Sequence, residues 1–187
     1  VEVGSTVFVT GLGGIGISIV QGARIAGAGK IIVSDPVAER REAAIHFGAT
    51  YTINPDEDEV IPKVLEETKA IGVDYAFEAA GVASLVDTCI NASRIGGTTV
   101  IVGADASLST VQILPVLIAT MGKKIIGSLL GDCHPQRDIP NFVNLWKSGQ
   151  LDLEAMISHR VKLEEINSGF QNVRETNGIR TVVEVGA

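Results

Sequence analysis

Cysteine is scarce in this sequence. Only Cys89 and Cys133 occur among 187 residues, and neither belongs to a pair at metal-ligand spacing. That removes a cysteine-built metal cluster and points to reduced thiols in a cytoplasmic protein. Basic residues are outnumbered: 15 Lys and Arg against 22 Asp and Glu give a net charge of -7. Such a surface disfavours nucleic acid, and none is expected as a partner, because phosphates demand a basic face. Long apolar runs are missing as well. The longest, Ile113 to Met121, contains Pro115 and is far too short to span a bilayer. No signal peptide, internal repeat or low-complexity segment is visible, and no membrane partner is expected. A starting Met is lacking too. The chain opens at Val1 and enters a strand almost at once, as expected of a fragment or excised domain.

What is present is ordinary for a globular protein: 45% apolar and 20% charged residues. The length allows one domain, or one domain with an appendage, around a real core. Short β-branched stretches read as strands at Thr6–Thr10, Lys30–Ser34, Tyr51–Ile53, Val73–Glu78, Thr98–Val102 and Lys124–Ser128. Helices fall between them at Gly14–Ala26, Ala38–Phe47, Val60–Lys69, Ala83–Ser93 and about Leu114–Met121. This alternation implies right-handed βαβ units and a parallel sheet. Stretches such as TVFVT and IIV are apolar on both faces, which suits a sheet covered on both sides by helices. The acidic run Asp56–Glu59 reads as a helix start, where negative charge favours the helix dipole. After Ser128 the pattern changes. Pro135 and Pro140 are expected to break the chain before a helix at about Asn141–Ser148. His159 lies in a strand-like segment, a helix follows at Leu163–Glu175, and a last strand runs over Arg180–Val185. The expected division is 1–128 for a first domain and 129–187 for a C-terminal segment.

The first strand runs into Gly11-Leu12-Gly13-Gly14-Ile15-Gly16, a G-x-G-x-x-G turn opening a helix. Each glycine has a physical task. Gly11 allows the tight turn, Gly13 lets backbone approach a pyrophosphate, and Gly16 lets the helix pack close. The helix N-terminus then offers free N–H groups and a positive dipole end to phosphates. The second strand ends at Asp35, about 20 residues past the last glycine, where an acid can bind a ribose. Strand, turn, helix and acid together give a dinucleotide-binding, doubly wound α/β (Rossmann) fold in three layers, α/β/α. A carboxylate at Asp35 can accept hydrogen bonds from both adenosine ribose hydroxyls. It would repel a 2′-phosphate by roughly 4 kcal/mol per charge pair at about 4 Å and an effective dielectric near 20. NAD is therefore favoured over NADP. Arg40 and Arg41 weaken that preference if they face the ribose, and not if they lie on a solvated helix face.

The sequence resembles the zinc-type medium-chain alcohol dehydrogenases over essentially its whole length. The resemblance rests on GSTVFVTGLGGIG, then SDP and FGAT, GVDYAFEAAG, GGTTVIVG, KKIIGSLLGD and the ending GIRTVVEV, in that order. It implies that Gly11, Gly13, Gly14 and Gly16 cradle the pyrophosphate and that Ile15 packs behind the nicotinamide. Asp35 and Arg40 would meet the adenosine ribose, and Ala80 would line the cleft. Backbone around Val102-Gly103-Ala104 and Ser128-Leu129-Leu130 would grip the carboxamide, and Arg180 would pair with the pyrophosphate. The resemblance also implies a dimer or larger homo-oligomer, an alcohol or aldehyde substrate, and a catalytic zinc.

The family's catalytic domain, with its zinc ligands and proton relay, has no counterpart in these residues. No catalytic residue and no metal ligand is therefore expected in this chain, and residues 129–187 would pack on that other domain. Adjacent Cys133 and His134 make poor zinc geometry and read as loop residues, while His46 reads as helix surface. The function expected is the NAD(H)-binding part of an enzyme that moves hydride between an alcohol and NAD, giving an aldehyde or ketone. Alternatives are a zinc-free quinone or enoyl reductase and a non-catalytic nucleotide-sensing domain. Asp35 argues against the first, and the dehydrogenase-like tail from Asp132 to Gly178 argues against the second.

Overall fold

The computed structural model describes residues 1–104 and 109–186. Six strands form one parallel sheet: β1 (Thr6–Thr10), β2 (Lys30–Ser34), β3 (Tyr51–Ile53), β4 (Val73–Glu78), β5 (Ser93–Ile101) and β6 (Lys124–Gly127). Their order is β3-β2-β1-β4-β5-β6, and every neighbouring pair is parallel. The chain starts mid-sheet, winds outward to β3, then returns to fill the other half. The doubly wound fold read from the sequence is the one observed. The reversal lies between β1 and β4, and ligands of such sheets bind in the crevice outside the carboxyl ends of the strands there.

Alternation along the strands explains why TVFVT and IIV are apolar throughout. Val7, Val9, Ile31 and Val33 join Ile17, Val20 and Phe47 in one buried cluster. These contacts come from helices α1 (Gly14–Ile25) and α2 (Ala38–Phe47). Phe8 and Ile32, one residue out of step, join Val64, Cys89 and Ala92 in a second cluster. Those belong to α3 (Val60–Glu67) and α4 (Ala83–Ala92). Side chains that alternate across a strand thus build two separate cores. The acidic run precedes α3 as expected, with Glu59 at its N-cap. α5 (Pro115–Met121) then leads into the edge strand β6.

The C-terminal part departs from expectation in two places. Pro135 and Pro140 do not delay a helix to Asn141: α6 runs Pro135–Lys147. Pro135 occupies the first turn, where a missing N–H costs nothing. Pro140 removes one interior bond, and the helix continues through it. The strand-like setting of His159 is a full strand, β7 (Ile157–Lys162). It pairs in parallel with β8 (Arg180–Glu184) across α7 (Ile166–Arg174), in a second, two-stranded sheet. β5 also begins at Ser93, directly as α4 ends, instead of at Thr98.

A stretch past α6 docks back on α1. Gln21 is fully buried. Its Nε2 donates to the Asp152 carbonyl at 3.1 Å, and the Asp152 N–H returns a bond to Gln21 Oε1 at 2.8 Å. Arg24 donates to the carbonyls of Phe47 and Gln150, and His46, on the outer face of α2, meets the Asp152 carboxylate at 3.1 Å. Met156 completes the first core cluster. Among the described residues no helix is long and apolar enough to cross a membrane.

Two stability outcomes are expected. Gln21→Ala strands both backbone groups of Asp152, and an unpaired buried group costs about 1–3 kcal/mol. Urea denaturation should register that loss; a chain as stable as wild type would contradict the docking described. Asp74 carries the second. Burial pushes its carboxyl up, but the Thr6 amide and the Arg94 guanidinium outweigh burial and hold it below the usual range. A depressed folded pKa gives stability that is present above the unfolded value of about 3.9 and lost as pH falls through the folded one. Melting curves across that window should fall less steeply for Asp74→Asn than for wild type.

Candidate functional site

A cleft of about 470 Å³ opens at the carboxyl ends of β1, β2 and β4. Its floor is the glycine turn. Gly11 turns the chain with φ +86°, and a Cβ there would come 2.8 Å from that of Ala80. A Cβ on Gly16 would fall 1.8 Å from the Gly11 carbonyl oxygen, so only glycine fits. Gly13 is the N-cap of α1, and nothing lies within 4 Å of where its Cβ would stand. The turn is thus closed below and open above. The first-turn amides of α1 have no intrahelical partners, and no acidic residue sits among them. A bare helix start of this kind attracts an anion.

Asp35 stands at one end of the cleft with only 4% of its surface exposed. One carboxylate oxygen accepts the Leu12 amide at 2.7 Å and the other the Val37 amide at 2.9 Å. Each oxygen retains a lone pair for a further donor. Arg40 lines the same cleft, its Nη1 4.0 Å from Asp35 and its Nε bonded to the Gly178 carbonyl at 3.1 Å. Arg41 Nη1 donates to the carbonyls of Asp35 and Pro36 at 2.7 and 2.8 Å.

The opposite wall comes from the end of β4 and the start of α4, through Ala79, Ala80, Val82 and Leu85. The Ala79 amide donates to the Thr10 carbonyl at 3.0 Å, which extends the β1–β4 pairing to the lip of the cleft. Arg180, first residue of β8, reaches the glycine turn from the far end of the chain. Its Nη2 lies 3.4 Å from where a Gly14 Cβ would stand. Of the residues singled out from sequence, Gly11, Gly13, Asp35, Arg40 and Ala80 therefore line one cavity. Gly14, Gly16 and Arg180 frame its floor.

Others are placed apart from it. Ile15 is half-exposed on the first turn of α1. Val102 and Ala104 follow β5, while Ser128 and Leu130 follow β6, further along the same sheet edge. The Val102 amide donates to Glu78 and the Ser128 amide to Ile101. Leu130 projects from a short 3₁₀ turn, Leu130–Asp132, and is largely exposed. Sequence reading missed Val37, Pro55, Val82, Leu85 and Thr176 as lining residues. Val37 and Pro55 could have been found, since each follows the end of a strand. Thr176 carries no local signal and arrives only because the tail folds back.

Glu78 was also missed. It is fully buried at the end of β4, and its Oε1 accepts the amides of Ala80, Gly81 and Val82. Burial, and then the Glu78 charge, push the nearby Cys89 thiol far up, which leaves it unreactive. Cys133 ends the 3₁₀ turn and His134 caps α6. Among the described residues no three His, Cys, Asp or Glu side chains are grouped to hold a metal ion.

Comparison with known proteins agrees with this geometry. Residues 14–148 match the family described as zinc-binding dehydrogenase. The NDMA-dependent alcohol dehydrogenase of Amycolatopsis methanolica is 38% identical over 186 residues, 98% of this chain and 50% of that protein. Benzyl alcohol dehydrogenase from Acinetobacter calcoaceticus superposes with a TM-score of 0.94 at 27% identity, covering 100% of this chain and 51% of that one. A zinc-binding dehydrogenase from Sinorhizobium meliloti 1021, solved bound to NADP, gives 0.88 at 32% identity over 97% of this chain and 53% of that one. The chain spans about half the length of the curated relatives it matches. With a doubly wound sheet, a glycine turn below an acid-ended cleft and a family match over most of its length, the chain belongs to the zinc-binding dehydrogenases and carries their dinucleotide-binding fold.

Proposed function

We propose that the cleft binds NAD(H) and that the chain is the cofactor part of a zinc-type, NAD-dependent alcohol dehydrogenase. The observation that carries this reading is the pairing of an open anion site with a buried acid. The space above Gly13 and the bare start of α1 suit a pyrophosphate. Asp35, across the cleft, has acceptor capacity left for ribose hydroxyls. Gly11, Gly14 and Gly16 shape the phosphate turn, and Arg180 adds a positive charge beside it. Ala80 walls the adenosine side. Ile15 packs behind the nicotinamide, while backbone at Val102, Ala104, Ser128 and Leu130 grips its carboxamide. Bound here, the cofactor supplies the hydride acceptor. The chain's own residues bind it and orient it.

Asp35 supports NAD over NADP, since its carboxylate would repel a 2′-phosphate. Arg40 is engaged with Gly178, and Arg41 with two carbonyls at the end of β2. Arg40 commits only its Nε–H and Arg41 only Nη1, so further N–H groups of both stay available near the ribose site. NADP is the second reading, favoured by the Sinorhizobium relative solved with it.

The catalytic zinc and the alcohol pocket would lie in the other half of such an enzyme, on which residues 129–187 pack beside the 1–128 domain. The enzyme would be cytoplasmic and at least dimeric. Among the described residues β6 ends the sheet unpaired, with Ile126 half-exposed, and Val116 and Leu117 stand exposed on α5 beside it.

Nucleotide fluorescence titrations test the reading. Wild type should bind NADH more tightly than NADPH. Asp35→Ser should weaken NADH at least about tenfold through loss of charge-assisted hydrogen bonds, and should relieve the NADPH penalty. Equal wild-type affinities for the two would refute the assignment of Asp35. Arg180→Ala should weaken both nucleotides, by about ten- to hundredfold, since the pyrophosphate is common to them. Unchanged binding would make Arg180 a structural residue only.

A further inference from the structure

We propose that Glu78 is a positioning residue for the dinucleotide. Its buried carboxylate holds the loop after β4 in place beside the loop after β5, which the Glu78 backbone carbonyl holds, and so sets where the nicotinamide half of the cofactor lies. The inference rests on the dinucleotide reading above.

Glu78 gathers N–H groups from both loops. Its Oε1 accepts Ala80 at 2.9 Å, Gly81 at 2.8 Å and Val82 at 3.3 Å, the residues that turn into α4. Its backbone carbonyl accepts Val102 at 2.9 Å and Gly103 at 3.0 Å, the residues that leave β5. The loops touch at this point. A Cβ on Gly103 would fall 2.1 Å from the Gly81 nitrogen and 2.6 Å from Glu78 Oε2. Gly81 sits at φ +73°, and a Cβ there would strike the Ala104 carbonyl oxygen at 2.8 Å. On the other side, Ala80 presses on Gly11. A continuous line of contacts therefore runs from the phosphate turn, through Glu78, to the end of β5.

The second carboxylate oxygen shows why an acid stands here. Oε2 is buried without a hydrogen-bond partner among the described residues. Glu78 faces a cavity of about 190 Å³ that Gly81, Val86 and Gly103 also line. A buried oxygen with no donor is expensive, and native structures rarely keep one without reason. Holding the three amides needs one oxygen only, and a glutamine would serve. At Oε2, however, an NH₂ would put hydrogens where a bare oxygen now stands close beside Gly103. The bare oxygen lets Gly103 sit against Gly81, and a glutamine would push them apart.

The test is Glu78→Gln in the same chain, titrated with NADH and with AMP. The glutamine carbonyl still accepts the three amides, so the adenosine side keeps its wall while the Gly103 side shifts. NADH affinity should fall about tenfold, and AMP affinity should stay within about twofold. An equal loss for both nucleotides, or no loss for either, would leave Glu78 merely structural and overturn the inference while the dinucleotide reading stands. A wild-type chain that binds neither nucleotide would overturn both. Wild-type protein gives a check independent of the variant's folding. In nitrogen-15 spectra, NADH should shift the amides of Ala80, Gly81, Val82 and Gly103 along one titration curve, and AMP should leave Gly103 in place. Movement of Gly103 without the other three would overturn the coupling.

Discussion

Everything at the cleft depends on how closely α1 approaches β1. The Gly11 carbonyl oxygen and the Gly16 Cα stand so close that a Cβ on Gly16 would fall 1.8 Å from that oxygen. That approach puts the helix start at the carboxyl end of the sheet and not beside it. The unpaired amides of the first turn then converge on the opening left by Gly13. A helix dipole acts only within its first turn, so a small retreat of α1 would remove most of its pull on an anion. The same approach seats Ile17 and Val20 against Val7 and Val9. Anion site and core are held by one contact.

Around that contact the cleft is assembled from carbonyls and carboxylates that collect backbone amides. Asp35 binds the glycine turn to the start of α2 through Leu12 and Val37. Glu78 does the same at the start of α4, through Ala80, Gly81 and Val82. Each acid sits at a place where successive elements leave N–H groups unmatched by the sheet. Buried amides must find acceptors, and these side chains supply them while fixing the loops in place. Rigidity at the rim therefore comes from polar groups, and the apolar clusters beneath it supply the stability.

Much of this was legible in the sequence, for reasons that particular residues make plain. The strands through Val7–Val9 and Ile31–Val33 carry apolar residues on both faces, a pattern that local composition displays. Gly11, Gly13, Gly16 and Asp35 form one short motif whose spacing is its signal. Arg180 was legible only through resemblance, because nothing local ties it to a turn at the opposite end of the chain. Thr176 and the docking of Asp152 on Gln21 were not legible at all. A glutamine on a helix reads as surface, and its burial depends on a partner more than a hundred residues away. Pro140 misled for the opposite reason. Its local rule against helix is strong, yet one lost bond is small against a thirteen-residue helix.

The docking of residues 150–156 has a consequence for how the chain comes to be folded. Met156 and the backbone of Asp152 complete a layer whose other buried members, Val7 to Ala49, lie within the first fifty residues. Contacts so distant in sequence form late, because a long loop must close before they add any stability. On a ribosome, the β1–α1–β2–α2 layer would emerge with a gap in its side and a buried-type glutamine still wet. It would wait there until the segment beyond α6 followed. The cofactor cleft, framed by Thr176 and Arg180 from beyond even that point, would be completed later still.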